Sequence, residues 1–271
     1  MSSWVAPRMV EERPAREGAD TPLRTHPEWA DRFPWLVQGT TARGDAGDPF
    51  DLGLSGTQPV GRALDRWRAL AAAAGMPSVV HARQVHGADL AVHRCASAPG
   101  LLVMDGVDGH LTRAPGVLVT VSVADCVPVS VLDPDHRAVA LVHAGWRGVA
   151  GAIVERAIAR LAHEFGSAAE SLWVHCGPAI CGVCYEVGPE VHRAVTPERD
   201  APSEPHPIDL RAVIVGRAAA CGVMGERCTI SMHCTRCAGD GVVGDTADRA
   251  FFSHRAGDSA RQMAVLGVRD A

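Results

Sequence analysis

The chain has 271 residues, 47% of them hydrophobic, which is enough to bury one large core or two small ones. Its 26 basic and 31 acidic residues give a formal net charge of −5, and they form no basic stripe of the kind that binds nucleic acid. The longest apolar run, residues 117–132, contains Asp125 and Pro128, so the sequence predicts no membrane-spanning segment.

The N-terminal residues predict a disordered lead-in. Residues 1–20 are charged and lack the apolar core of a signal peptide, so we expect them to be disordered and residues 21–271 to form one domain. The nine cysteines are an odd number in a chain with no export signal. We therefore expect reduced thiols and a cytoplasmic location.

Periodicity and chain breakers predict a mixture of helices and strands. Helices are predicted at residues 61–74, 150–165 and 211–221, where apolar side chains recur at helical spacing. Strands are predicted at residues 78–85, 118–123, 127–132, 138–142, 172–176 and 229–232. This mixture, with no internal repeat and no clear linker, predicts a single α+β domain.

Residues 124–148, ADCVPVSVLDPDHRAVALVHAGWRG, indicate a hairpin with chemical groups at its open end. If the loop is symmetric about the Pro134–Asp135 pair, Cys126 lies directly opposite His143, with Cβ atoms about 4.5–5.5 Å apart. That distance suits two ligands of one ion or a thiol beside its base, whereas a one-residue slip would place the two side chains on opposite faces. The pattern thus allows a paired site without requiring it, and simple burial of a cysteine and a histidine is the alternative.

The turn that follows His143, at residues 145–148, predicts an anion site. It opens the helix predicted at residues 150–165, and backbone N–H groups at a helix start are unpaired. Arg147 adds a guanidinium beside them, which suits phosphate or carboxylate. An arginine that only covers a loop is the alternative.

Eight short motifs between about Gly39 and the C-terminus resemble those of the laccase-domain family, whose members are described as purine nucleoside phosphorylases, polyphenol oxidases and a peptidoglycan editing factor. ADCVP at residues 124–128 and HAGWRG at residues 143–148 are the most specific. The others are QVHG at 84–87, GPAI at 177–180, YEV at 185–187, DL at 209–210, CT at 234–235 and FFSHR at 251–255. The resemblance implies a four-layer α/β/β/α sandwich with mixed sheets, which residue spacing alone does not reach.

The same resemblance implies a metal site. In that family the histidine of QVHG, the cysteine of ADCVP and the histidine of HAGWRG bind one zinc ion, so it implies His86, Cys126 and His143 as metal ligands and catalytic residues. Two imidazoles and a thiolate suit Zn²⁺, and three protein ligands leave the open fourth position of a catalytic site.

The activities implied by the resemblance are phosphorolysis of adenosine, inosine and methylthioadenosine, and deamination of adenosine. Zinc can lower the pKa of a bound water to about 7, which suits deamination. Phosphorolysis needs phosphate, for which Arg147 is the catalytic candidate. We expect a monomer that acts on purine nucleosides and phosphate and binds neither nucleic acid nor a membrane.

Three alternatives stay open. The sequence contains no H-x-H pair, which disfavours four-copper phenol oxidation, although copper could occupy a site of two histidines and one cysteine. A hydrolase that edits peptidoglycan precursors could use zinc, or could use Cys126 as nucleophile, His143 as base and the amides of residues 145–148 as an oxyanion hole. A zinc-binding module without turnover is the third. The role of His86 distinguishes a catalytic zinc site from two of these alternatives. A Cys–His dyad does not need His86, and a closed structural zinc site needs a fourth protein ligand in addition to it.

Three features depart from the family pattern. Ser259, Ala260 and Arg261 stand where a Thr-Gly-Arg stretch is usual, and residues 236–249 form a longer, Gly-rich segment that predicts a surface loop rather than a flap. Two C-x-x-C pairs, at residues 181–184 and 234–237, could together bind a zinc ion with four thiolates. They lie much farther apart than the roughly 15–20 residues of ordinary zinc ribbons, which favours free or buried thiols.

Overall fold

The computed structural model describes residues 6–45, 47–55, 58–237 and 249–270. The helices there are α1 (Pro27–Arg32), α2 (Val60–Ala74), α3 (Trp146–Ala150), α4 (Ile153–Phe165), α5 (Pro189–Val195) and α6 (Leu210–Ala220). The strands are β1 (Arg8–Val10), β2 (Arg13–Pro14), β3 (Leu23–Thr25), β4 (Leu36–Thr41), β5 (Ser78–Arg83), β6 (Leu90–His93), β7 (Gly100–Asp105), β8 (Gly109–Thr112), β9 (Val117–Val123), β10 (Val127–Asp133), β11 (Ala138–Ala144), β12 (Trp173–Cys176), β13 (Glu186–Val187), β14 (His206–Pro207), β15 (Cys228–Ser231) and β16 (Gln262–Val268). No helix in the described part of the chain has both the length and the apolar character needed to cross a membrane.

Fourteen of the strands form two mixed sheets of seven. The first has the order β1-β15-β12-β10-β11-β8-β6, and the second has the order β2-β3-β4-β16-β9-β5-β7. Both sheets combine parallel and antiparallel pairs: in the first, β12 is parallel to β15 and antiparallel to β10, and in the second, β9 is parallel to β5 and antiparallel to β16. The remaining two strands, β13 and β14, pair only with each other among the described residues.

The central strands are apolar on both faces because they separate two cores. In β10, Val131 packs with residues of α4 and α6, and the next residue, Leu132, packs between the two sheets. In β5, Val80 faces the core between the sheets, whereas Val79 packs with the apolar face of α2. Alternate side chains of a strand point to opposite faces, so the layers run helices, sheet, sheet, helix. The predicted α+β fold and four-layer α/β/β/α sandwich are confirmed.

The predicted helix at residues 61–74 is α2, which ends at Gly75. That glycine has a φ of 66°, and its N–H donates to carbonyls of the last turn, which is a common way to end a helix. The helix predicted at residues 150–165 is α4, which begins at Ile153, because the φ of 60° at Ala152 separates it from α3, which ends at Ala150. Residues 146–148 of the predicted turn already belong to α3, so the interpretation of that segment as a simple turn is wrong.

The prediction of a disordered lead-in is wrong for residues 8–14. β1 pairs in parallel with β15 in the first sheet, and β2 pairs with β3 in the second. Between them Glu12 is buried, with its carboxylate oxygens 3.0 Å from His175 Nε2 and 2.8 Å from Ser231 Oγ. These partners lie 163 and 219 residues away in sequence, so local composition carries no sign of them. Residues 1–5, and residues 238–248 of the predicted surface loop, lie outside the described residues.

Candidate metal centre

The hairpin of β10 and β11 has a different register from the predicted one. Asp133 pairs with Ala138, and Pro128 pairs with His143, so the loop consists of residues 134–137. The prediction that Cys126 lies directly opposite His143 is wrong, because it placed the loop one residue earlier. The actual register moves the partner position of Cys126 by two residues, to Gly145. A shift of two leaves both side chains on the same face, as diagonal neighbours.

Gly145 provides the space in which the candidate ligands meet. A Cβ atom at this position would lie 3.0 Å from Cys126 Sγ, 3.4 Å from His86 Cδ2 and 3.8 Å from His143 Cε1. The first of these distances is shorter than an ordinary van der Waals contact. A residue with a side chain would therefore displace the thiol, and glycine is needed for close approach rather than for a special backbone angle.

His86, Cys126 and His143 converge as the motifs imply. Their ligand atoms lie within 4.8 Å of one another. The two imidazole rings meet edge to face, with centroids 4.9 Å apart and an interplanar angle of 82°. His143 is buried, Cys126 is partly exposed and His86 is exposed, so the group faces solvent on one side. This donor set suits zinc or copper and leaves the solvent side for a further ligand.

Asp108 is a buried carboxylate that contacts the His143 ring and the backbone at His86, and sequence reasoning missed it. Its Oδ1 lies 2.8 Å from His143 Nδ1, which leaves Nε2 as the ring nitrogen available to a metal. The carboxylate also accepts hydrogen bonds from the backbone N–H groups of residues 85–87, at 3.1, 2.9 and 2.8 Å. A carboxylate behind a ligand histidine fixes its tautomer and orientation. The one sequence signal for it was its place before β8, the neighbour of β11.

The groups of this centre shift one another's pKa values. Burial alone would raise the pKa of the Cys126 thiol, but His143 and His86 lower it to about 6. Burial would lower the pKa of His143, but the charges of Cys126 and Asp108 raise it to about 9. Burial would likewise raise the pKa of Asp108, whereas hydrogen bonds from His143 and the backbone hold it below its usual range. At neutral pH the thiol is therefore poised as a thiolate, the form that binds metals and attacks electrophiles.

A cavity of about 570 Å³ opens onto the three converging residues. This volume lies within the roughly 300–1,000 Å³ typical of small-molecule sites. Its wall includes both polar and apolar side chains, among them Gln84, Val103, His254, Arg261 and Met263.

Arg147 is not among the described residues that line this cavity. It is exposed in the five-residue helix α3, where its guanidinium carbon lies 4.3 Å from the centroid of the Trp146 ring. Arg261 does line the cavity, and its Nη1 donates to the carbonyls of residues 258–260 at 3.3, 2.9 and 2.9 Å. Two arginines are thus candidates for anion binding, Arg147 outside the cavity wall and Arg261 within it, and the sequence motifs singled out only Arg147 for that role.

Related proteins match this chain over segments of different length. Adenosine deaminase RL5, from an unknown prokaryotic organism, is 35% identical over a segment that covers 49% of this chain and 54% of that protein. Purine nucleoside phosphorylase YlmD of Geobacillus stearothermophilus is 32% identical over 69% of this chain and 71% of that protein. A purine nucleoside phosphorylase of Xylella fastidiosa (strain 9a5c) is 32% identical over 86% of this chain and 92% of that protein. The chain thus spans about half of the first relative and most of the other two.

The fold and the family agree with the motifs. The crystal structure of YlmD from Geobacillus stearothermophilus superposes with a TM-score of 0.81 and 26% identity, over 97% of this chain and 100% of that chain. The model of a family described as multi-copper polyphenol oxidoreductase laccase matches residues 45–269. The chain therefore belongs to this family, which is the laccase-domain family that its motifs resemble.

Proposed function

We propose that the chain is a zinc-dependent purine nucleoside phosphorylase that acts on adenosine, inosine and methylthioadenosine and also deaminates adenosine. The observation that supports this most directly is the convergence of His86, Cys126 and His143 on a cavity of about 570 Å³. Relatives named purine nucleoside phosphorylase and adenosine deaminase supply the two reactions.

The donor set fits a catalytic zinc ion. Zinc held by His86, Cys126 and His143 would supply a Lewis acid with one open position for substrate or water. The protein contributes orientation: Asp108 fixes the His143 tautomer, and it accepts hydrogen bonds from the backbone that carries the second imidazole. Copper binds such a donor set more tightly than zinc, so the metal itself has to be measured.

We propose Arg147 as the phosphate-binding residue. Its guanidinium stacks on Trp146, which holds the plane of the group while the N–H edges stay accessible. A planar guanidinium with accessible edges can bind two oxygens of one phosphate. Arg261, whose Nη1 is already engaged with backbone carbonyls, is the competing candidate because it lines the cavity.

Metal content and turnover measured together test this function. Cys126→Ser should lower the metal content by one ion per chain and abolish phosphorolysis of inosine, because a neutral hydroxyl is a far poorer zinc ligand than a thiolate. Cys95→Ser is the matched control, since Cys95 is exposed and belongs to no group of potential metal ligands among the described residues. The zinc mechanism is wrong if the Cys126→Ser protein keeps its full metal content and still loses turnover.

A cysteine hydrolase is the second candidate, and the line formed by Asp108, His143 and Cys126 favours it. A carboxylate behind an imidazole beside a thiol of lowered pKa is the arrangement of an activated nucleophile. Such an enzyme would cleave amide bonds, for example in a peptidoglycan precursor. His86→Ala separates the two candidates: the hydrolase should keep its activity without metal, whereas the phosphorylase should lose both.

A further inference from the structure

Four cysteines outside the candidate centre form a second cluster. The Sγ atoms of Cys181, Cys184, Cys234 and Cys237 all lie within 4.8 Å of one another, and the Sγ atoms of Cys181 and Cys237 are 3.8 Å apart. In a tetrahedral site with zinc–sulfur bonds of about 2.3 Å, neighbouring sulfur atoms are about 3.8 Å apart. A disulfide needs a sulfur–sulfur distance of about 2.05 Å. The spacing therefore matches four ligands of one ion better than two disulfides.

The fold brings together two pairs that are distant in sequence. The N–H groups of Cys184 and Tyr185 both donate to the Cys181 carbonyl, at 3.0 and 3.1 Å, which closes the first C-x-x-C pair into a tight turn. The second pair docks beside it, because Ala179 and Cys234 form a parallel β-bridge and the Thr235 N–H donates to the Ala179 carbonyl at 3.1 Å. The long separation in sequence, which argued against a shared site, is bridged by this pairing.

Backbone N–H groups favour the ionised form of the sulfur at Cys234. The N–H of Cys181 lies 3.3 Å and that of Arg236 lies 3.4 Å from its Sγ atom. Donors aimed at a sulfur stabilise negative charge on it, and such outer contacts accompany metal ligands generally. The Arg236 guanidinium also donates to the Cys184 carbonyl at 3.2 Å, which places a positive charge beside the cluster.

We propose that Cys181, Cys184, Cys234 and Cys237 bind a second zinc ion as four thiolates. Two C-x-x-C pairs that supply four sulfurs are the ligand set of a structural zinc site. Three of the four cysteines are buried, and four protein ligands leave no open position, so this ion holds structure and takes no part in turnover. The site goes beyond the proposed function, since it shares no ligand with the centre at Cys126.

The structural role of this ion is to fix the chain around Asp125, the residue before Cys126. The Ile180 N–H, next to the first cysteine pair, donates to the Asp125 carbonyl at 3.0 Å. The Thr235 hydroxyl, inside the second pair, donates to Asp125 Oδ1 at 2.6 Å. An ion that joins the two pairs therefore also holds the backbone that presents Cys126. Its loss should weaken metal binding at the first centre without removing any ligand there.

Metal counting by plasma mass spectrometry, on protein purified with zinc and a reductant, tests the proposal. We expect two zinc ions per chain in the wild type and one in Cys126→Ser. We expect Cys184→Ser to lose the ion of the cysteine cluster, and Cys95→Ser, the matched control, to keep both. The Cys126→Ser protein makes the test independent of the proposed function. If this variant is inactive but still retains one zinc ion per chain, that ion is bound at the four-cysteine site.

Cobalt substitution gives a spectroscopic readout of the ligand set, in addition to the count of metal ions. Cobalt added to metal-free Cys126→Ser should give the intense thiolate-to-cobalt charge-transfer bands and red-region bands of a tetrahedral four-sulfur site. Cys181→His should retain the ion with altered bands, since imidazole replaces one thiolate as a ligand. The proposal is overturned if Cys126→Ser holds no zinc and gives no such bands, or if its unreduced mass shows two disulfides among these cysteines.

Discussion

Asp108→Asn perturbs the support of the candidate metal centre while it preserves the shape of the side chain. Asp108 Oδ1 contacts His143 Nδ1 and the His86 N–H, and Oδ2 accepts the N–H groups of Val85 and Gly87. Asparagine offers one acceptor oxygen in place of two. If that oxygen takes the Oδ1 position, two backbone N–H groups face an NH₂ group. If it takes the Oδ2 position, the NH₂ group faces His143 and favours the tautomer that protonates Nε2, the nitrogen needed by the metal.

The magnitude follows from the number of donors left unpaired. An unsatisfied buried donor costs about 1–3 kcal/mol, so two of them should lower the free energy of unfolding by about 2–6 kcal/mol. Loss of a carboxylate behind a ligand histidine typically weakens metal binding by about 10–100-fold. Urea denaturation of the metal-free protein gives the first quantity, and competition with a zinc-chelating dye gives the second.

Asp105→Asn is the matched control for this variant. Asp105 is an exposed residue at the end of β7, and its carboxylate pairs with Arg83 at 2.7 Å on the surface, where such pairs contribute about 0–1 kcal/mol. Its substitution should leave zinc affinity unchanged and stability nearly so. If Asp108→Asn binds zinc as tightly as the wild type and unfolds at the same urea concentration, Asp108 does not have the orienting role assigned to it.

Three further expectations concern the centre, the anion site and the core. Gly145→Ala should weaken zinc binding at the centre in a protein with unchanged circular dichroism, because its methyl group would lie 3.0 Å from Cys126 Sγ and the thiol would have to shift; an unchanged zinc affinity would show that the thiol moves aside without loss. Arg147→Ala should raise the phosphate concentration for half-saturation in inosine phosphorolysis by about ten- to a hundredfold, the equivalent of a charged contact of about 1.5–3 kcal/mol, with far less effect on adenosine deamination. An equal fall in both activities would place Arg147 in the fold or at the nucleoside instead. Burial lowers the pKa of His26 to about 2 and that of His110 to about 3, so the unfolded chain binds more protons below about pH 6.5 and stability must fall on acidification. The two histidines together should lower the free energy of unfolding by about 2 kcal/mol between pH 6.5 and 5.5, and a flat urea midpoint over that range would contradict their burial as neutral groups.

Local patterns predicted the elements better than their arrangement. The apolar spacing of residues 61–74 and the glycine that follows them identified α2 because helix periodicity and helix termination are short-range properties. In the sheets, every residue of β10 and β11 is buried, so the strands read as continuous apolar runs. Such a run shows that a strand exists without showing its neighbours. The insertion of β16 between β4 and β9 depends on pairing with distant segments and has no local sign.

At the candidate site, too, local patterns identified some residues and missed those whose role depends on contacts between distant segments. The motifs identified His86, Cys126 and His143, which converge in the structure, because each of three motifs contains one of these candidate ligands. Asp108 was missed because its four partners lie 21 to 35 residues away and a single buried carboxylate has no periodicity. Arg147 was chosen for its position behind His143, but the backbone continues into α3 and the guanidinium stacks on Trp146, so chain proximity did not place it in the cavity wall.

Two non-glycine residues at the centre have a left-handed backbone, with a φ of 58° at His86 and 87° at Asp125. Each such conformation costs an L-residue about 1–2 kcal/mol, so contacts elsewhere must stabilise it. At His86 the stabilising group is the Asp108 carboxylate, which accepts three successive N–H groups of the turn. At Asp125 it is the residue's own carboxylate, which accepts the Thr235 hydroxyl at 2.6 Å and the Arg255 N–H at 2.7 Å. The fold therefore fixes the backbone at His86 and next to Cys126 by bonds that involve no metal, so the ordering of this backbone would not have to be offset if these candidate ligands bind a metal.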